Sequence, residues 1–228
     1  MTTKSRTRRP IRETPFWRAY NASRYAILFY ALLLTLLLMP AAATIGLPAV
    51  AIKFLLAGSL FAAIMPNATP RTRYLLLTAT SALVAAGLAT QYGYLPVNSG
   101  LALGLGGLIG LLAAAGTLRF TIRSDVVDGE TIYAALSTYL LAGLFFGQIY
   151  WAVESLRPGS LTGPDPMSEI TAIYYSFVTL ATLGYGDFLP RSDLARGIAT
   201  FEVIGGQLFL AVMVARLIGA FGGADEDT

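Results

Sequence analysis

Charge is missing from this chain in long blocks, and the blocks match the thickness of a lipid bilayer. Residues 25–52, 54–70, 74–118 and 131–153 hold no Asp, Glu, Lys or Arg, and 197–215 hold only Glu202. A helix needs about 20 mostly apolar residues to cross the hydrocarbon core. The blocks divide into six expected spans, at 25–45, 48–65, 74–91, 99–118, 132–153 and 197–220, with a polar turn at 91–98 breaking the longest. Lys53 falls inside the second, where its long stem lets the ammonium reach the outer surface. Only 13% of the 228 residues are charged while 55% are apolar, about half the charge of a soluble domain. An ordinary cytosolic globule and a disordered chain are both excluded. The absence of Cys and His removes disulfides, thiol chemistry, zinc sites and the usual general base of hydrolases.

Lysine and arginine set the expected orientation. A basic segment, 1–24, precedes the first span with Lys4, Arg6, Arg8, Arg9, Arg12, Arg18 and Arg24. Six spans then place Arg71, Arg73, Arg119, Arg123 and Arg216 on the same side, leaving Arg157, Arg191 and Arg196 opposite. The basic side is expected to be cytoplasmic, with both termini inside and a multi-pass protein in the cell membrane. That topology accounts for the basic balance without a nucleic-acid partner. The fourth apolar stretch carries no arginine before Arg119, so strong voltage sensing by that helix is not expected. The expected organisation is a four-helix membrane domain at 25–118, a linker at 119–131, a pore domain at 132–221 and an acidic tail at 222–228.

The segment between the last two spans is too long for a turn. Its first part, 155–167, is rich in Pro and Gly and reads as an exposed loop. Glu154, just before it, either bonds the outer mouth of the site or is a solvated loop charge. Ser168 and Glu169 then open an apolar stretch to residue 181, with Ser168 suited to an N-cap and Glu169 to the positive helix end. A helix of about a dozen residues cannot cross the membrane. It is expected to be re-entrant, a pore helix at 168–181 whose non-helical continuation lines a wet cavity.

That helix runs into Thr179-Leu-Ala-Thr-Leu-Gly-Tyr-Gly-Asp187. The motif resembles the selectivity filter of potassium channels, and the resemblance extends over about 131–221. A dehydrated cation needs a column of oxygens, so successive carbonyls must point toward one axis. The backbone must then alternate between right- and left-handed regions, which Gly184 and Gly186 tolerate. The resemblance implies K+ coordination by Thr182, Leu183, Gly184 and Tyr185, with Gly186 completing the filter strand and Thr179 and Asp187 supporting it. Leu183 stands where valine is usual, which bears on fine selectivity. Tyr174 and Tyr175 occupy the aromatic pair of the pore helix, with a hydroxyl able to reach Asp187. Val178 falls where some bacterial channels carry a glutamate behind the filter.

On the inner helix, the resemblance places a hinge at Gly205-Gly206; close packing through small residues is the other reading. Counting on, Gln207, Leu210 and Val214 are expected to face an inner cavity. Glu202 is the one acid inside a span and a functional suspect by default, bracing the filter, setting a pH response, or simply pairing with a neighbour. The expected fold is an all-α membrane protein of six transmembrane helices plus a re-entrant pore helix and extended filter, four chains around one pore. The implied function is passive, K+-selective conduction by a homotetramer in the bilayer, with no covalent chemistry and no cofactor beyond permeant K+. A potassium-translocating subunit of a larger system and a non-conducting pore-like scaffold are the alternatives.

Overall fold

The computed structural model describes residues 23–45, 58, 74, 77–78, 81–82, 85, 99–124 and 127–222. The second expected span apart from Gly58, two thirds of the third, Lys53, the basic segment before residue 23 and the acidic tail after residue 222 lie outside the described residues. The elements that position the site are α1 (Arg24–Ile45), α2 (Ser99–Arg123), α3 (Gly129–Leu156), β1 (Leu161–Thr162), α4 (Glu169–Leu180), β2 (Leu189–Pro190) and α5 (Asp193–Gly222). Among the described residues, α1, α2, α3 and α5 are long and apolar enough to cross a membrane. The helices run a few residues past the uncharged stretches. Caps and first turns outside the hydrocarbon favour polar and acidic groups, so Glu130 and Asp193 lie in the first turns of α3 and α5.

The central element is α3, which meets a different helix on each side. Tyr25, Leu28, Leu32 and Met39, spaced by three, four and seven, bury one face of α1 in a core with Leu141 and Leu144 of α3. On a second side, α2 brings a stripe of glycines. A Cβ at Gly107 would stand 2.8 Å from Cγ1 of Ile149, and one at Gly110 would collide with the ring of Phe145. Backbone therefore lies directly on side chain along this seam, the close approach that small residues permit in lipid. On a third side the glycines belong to α3. Gly143 receives the ring of Phe177 and Gly147 receives Ile173, both from α4. Helix α4 is thereby seated against a helix that α1 and α2 hold in turn.

Local polar groups fix where α3 begins. Asp128 is its N-cap, accepting from the Thr131 amide and the Thr131 hydroxyl, each at 2.8 Å. The neighbouring Glu130 accepts the Tyr25 amide at 3.0 Å, which pins the start of α1 to the start of α3. These bonds, the Thr131 amide foremost, hold the Asp128 carboxyl below its ordinary range. A depressed folded-state value stabilises the fold above the unfolded pKa, and this contribution is lost as pH falls through the folded one. Asp128→Ala is expected to lower stability by about 1 kcal/mol near neutral pH. The difference from wild type should shrink in acid, as read by thermal unfolding across a pH series.

Candidate functional site

The segment between α3 and α5 is stitched at its base and built upward from there. β1 and β2 pair antiparallel, Leu161 opposite Pro190 and Thr162 opposite Leu189, so the chain entering the loop lies beside the chain leaving it. Glu154 turns back onto the loop, its two carboxylate oxygens accepting the amides of Gly159 at 2.8 Å and Leu161 at 2.9 Å. The carboxylate thus shapes the turn after α3, a role that neither expectation for this residue named. Ser168 caps α4 by accepting the Thr171 amide at 3.1 Å, as its position suggested. At 12 residues, α4 is about 18 Å long, too short to span.

At the end of α4 the backbone changes hand at every second residue. Thr182 has φ of 57°, Gly184 of 59° and Gly186 of 78°, while Leu183 and Tyr185 between them are not left-handed. The strand is tied back to the helix that delivers it. The Thr182 amide donates to Thr179 O at 3.0 Å, and the Leu183 amide to Val178 O at 2.9 Å. Away from the helix the strand is open, with Leu183 57% and Tyr185 67% exposed. At its outer end Tyr174 donates its hydroxyl proton to Asp187 Oδ2 at 2.8 Å, and Asp187 Oδ1 accepts the Phe188 amide at 3.0 Å. The bond to Asp187 keeps the Tyr174 hydroxyl above the usual phenol range. Tyr175 instead points inward, buried edge-on against Tyr150 with centroids 4.8 Å apart. The expected aromatic pair thus divides its work: one tyrosine holds the mouth and the other packs the core.

The inner helix α5 is continuous through Gly205 and Gly206. A Cβ on Gly206 would lie 2.8 Å from the carbonyl oxygen of Leu180, the last residue of α4, whereas one on Gly205 meets no atom of its own chain. Gln207, Leu210 and Val214 are exposed at helical spacing. Glu202 is buried with Tyr150 and Ser176.

Residues 134–222 match a family model described as ion channel. Over 87 residues the chain is 34% identical to the inward rectifier potassium channel Kirbac3.1 of Paramagnetospirillum magnetotacticum, covering 36% of this chain and 27% of that protein. It is 32% identical over 103 residues to the voltage-gated potassium channel Kch of Escherichia coli, covering 45% and 23%. A two-pore potassium channel 2 of Arabidopsis thaliana is 30% identical over 95 residues, covering 40% and 20%. Over residues 134–222 the chain is similar to ion channels, potassium channels among them. The chain spans about a quarter of the length of these relatives, and no solved structure gives a significant match. The apolar helices and the match to ion channels make this a multi-pass membrane protein.

Two features of residues 134–222 were not read from sequence. A left-handed φ at Thr182 is unusual for a β-branched residue and stores about 1–3 kcal/mol of strain. The step of two back from Gly184 and Gly186 is the signal that would have found it. At the inner end of α5, Arg216 donates to the carbonyl oxygens of Thr121 and Ser124 (2.5 Å to the latter), at and just beyond the C-terminal turn of α2. A cation there satisfies carbonyls that the helix leaves free. The sequence marked Arg216 only as an inside charge, because its partners lie more than ninety positions away.

The Tyr174 hydrogen bond can be tested alone. Tyr174→Phe keeps the ring and removes the donor to Asp187. A hydrogen bond to a charged acceptor contributes about 1.5–3 kcal/mol when shielded, and less at this exposed site. On the channel reading proposed below, the variant is expected to assemble normally but to lose K+ flux more quickly during sustained efflux. A time course matching wild type would show that the bond does not hold the mouth.

Proposed function

We propose that the chain is one quarter of a potassium-selective channel that carries K+ passively across the cell membrane. The observation supporting this best is the alternating left-handed backbone at Thr182, Gly184 and Gly186, on a strand open along the side away from its own chain. Alternation turns successive carbonyls of 182–186 toward one axis. One strand supplies one wall, so a dehydrated cation needs several, and four copies close the ring. The inner helix supports assembly, since Phe201, Ile204 and Leu208 leave an apolar face uncovered within one chain. The printed names of the relatives support K+ as the ion.

In this reading Thr182, Leu183, Gly184 and Tyr185 hold K+, and Gly186 completes the turn toward Asp187. The negative C-terminal end of α4 favours a cation in the cavity below, which Gln207, Leu210 and Val214 line. Outer acids concentrate cations at the entrance, and both termini are cytoplasmic. Arg119 and Arg123 lie exposed in the last turns of α2. A charge must move through the field to be worth about 2.3 kcal/mol per 100 mV, so α2 gives little voltage dependence.

The test is ion efflux from vesicles containing the purified protein. Fast K+ loss with little Na+ loss is expected. Equal loss of both ions, or loss of neither from an assembled protein, would overturn the reading.

A further inference from the structure

Behind the filter, a carboxyl group closes a polar cluster that joins three helices. Glu202 is 1% exposed, inside membrane-crossing α5. Tyr150 of α3 donates its hydroxyl proton to Glu202 Oε2 at 2.7 Å. The other carboxyl oxygen, Oε1, lies 2.5 Å from Ser176 Oγ on α4. Ser176 Oγ lies in turn 2.7 Å from the carbonyl oxygen of Gly143 on α3. The ion pair of Arg196 with Asp193 is elsewhere. The titratable groups facing the carboxyl are phenols: Tyr139 and Tyr150 from α3, and Tyr175 from α4.

Counting protons assigns the state of this cluster. A serine hydroxyl has one proton to give, and a carbonyl oxygen has none. If Ser176 donates to Glu202, its oxygen faces the Gly143 oxygen at 2.7 Å with no hydrogen between them. If Ser176 donates to Gly143, the 2.5 Å contact requires a proton from Glu202. The second arrangement satisfies all three contacts and leaves no unpaired charge in a buried site, where such a charge is costly.

The cluster also sits on the route from inner helix to filter. Ser176 is two residues from Val178, whose carbonyl receives the Leu183 amide of the filter strand. One turn beyond Glu202, Gly206 meets Leu180 at the end of the same helix. The inner helix therefore grips α4 at two successive turns. We propose that Glu202 is a positioning residue of the pore: as a neutral acid, donating to Ser176 and accepting from Tyr150, it locks the pore helix between α3 and α5 and so fixes the filter. The proposal rests on reading 182–186 as the potassium filter.

Glu202→Gln is the uncharged isostere, with an amide oxygen for Tyr150 and an N–H for Ser176. In vesicle efflux this variant is expected to keep wild-type K+ flux and preference over Na+. It should also keep them at alkaline pH, where ionisation of the wild-type acid breaks the bond to Ser176. Glu202→Ala leaves both hydroxyls without the carboxyl and is expected to lose K+ over Na+ preference by about tenfold, the equivalent of about 1.4 kcal/mol. A Gln variant as poor as the Ala variant overturns the neutral acid, and two variants like wild type overturn the positioning role. If the Ala variant does not assemble, Ser176→Ala replaces it with the same expected loss, and wild-type behaviour there contradicts the proposal. An infrared difference between wild type and Glu202→Gln gives a readout independent of conduction. A protonated-carboxyl carbonyl band present only in wild type is expected, and its absence overturns the proposal even in a conducting protein. A non-conducting protein that shows the band would overturn the channel reading and leave the state of Glu202 standing.

Discussion

Gly184→Ala is expected to abolish K+ flux while leaving a folded, assembled protein. Gly184 has φ of 59°, and a Cβ built there meets no atom of its own chain within 4 Å. The penalty therefore comes from the backbone and not from collision. An alanine in the left-handed region costs about 1–2 kcal/mol, which reduces a correctly formed strand about tenfold. In the proposed tetramer, with four strands around one axis, the reductions multiply to about 10⁴, more than residual flux can survive. The comparison is efflux from vesicles with equal amounts of assembled wild type and variant, the assembly checked by its mass in detergent. Wild-type flux from the variant would contradict the assignment of 182–186 as the conduction path.

Gly206→Ala has the second largest expected effect, and its sign separates two roles for that glycine. If Gly206 serves only as a hinge, alanine improves helix propensity by about 1 kcal/mol and the resting protein becomes more stable. The contact with Leu180 points the other way. The new Cβ would lie 2.8 Å from a backbone oxygen that terminates the pore helix, and overpacking of this kind costs about 1–3 kcal/mol. The expected result is a lower unfolding temperature together with weaker K+ over Na+ preference, because the displaced Leu180 adjoins the residues that hold the filter amides. An unfolding temperature equal to or above wild type would return Gly206 to the hinge role.

The parts of this site that could be read in advance depend on residues close in sequence. The strand at 182–186 is one such case: left-handed backbone favours glycine, and Gly184 and Gly186 show that preference directly. Ser168 is another, since an N-cap acts over three residues. The Gly184 and Gly186 backbone was legible, whereas the same conformation at Thr182 was not, because composition argues against it. Contacts made across long separations left no local trace. Tyr150 and Glu202 are 52 positions apart, and Arg216 meets Thr121 across 95. The glycines at 100, 104, 107 and 110 looked like ordinary small residues of a span, and only the position of α3 gives them a purpose. Helix ends were read short because the search followed the absence of charge, while caps and first turns use charge. The second expected span and most of the third fall outside the described residues, so the six-span count stands as an expectation.

The most direct test of the central claim is the reversal potential of the wild-type protein in a planar bilayer with K+ on one side and Na+ on the other. A filter of carbonyls at 182–186 that replaces the hydration of K+ predicts a potential displaced strongly in the direction that K+ alone would set. A potential near zero, with current carried equally by both ions, would contradict the account.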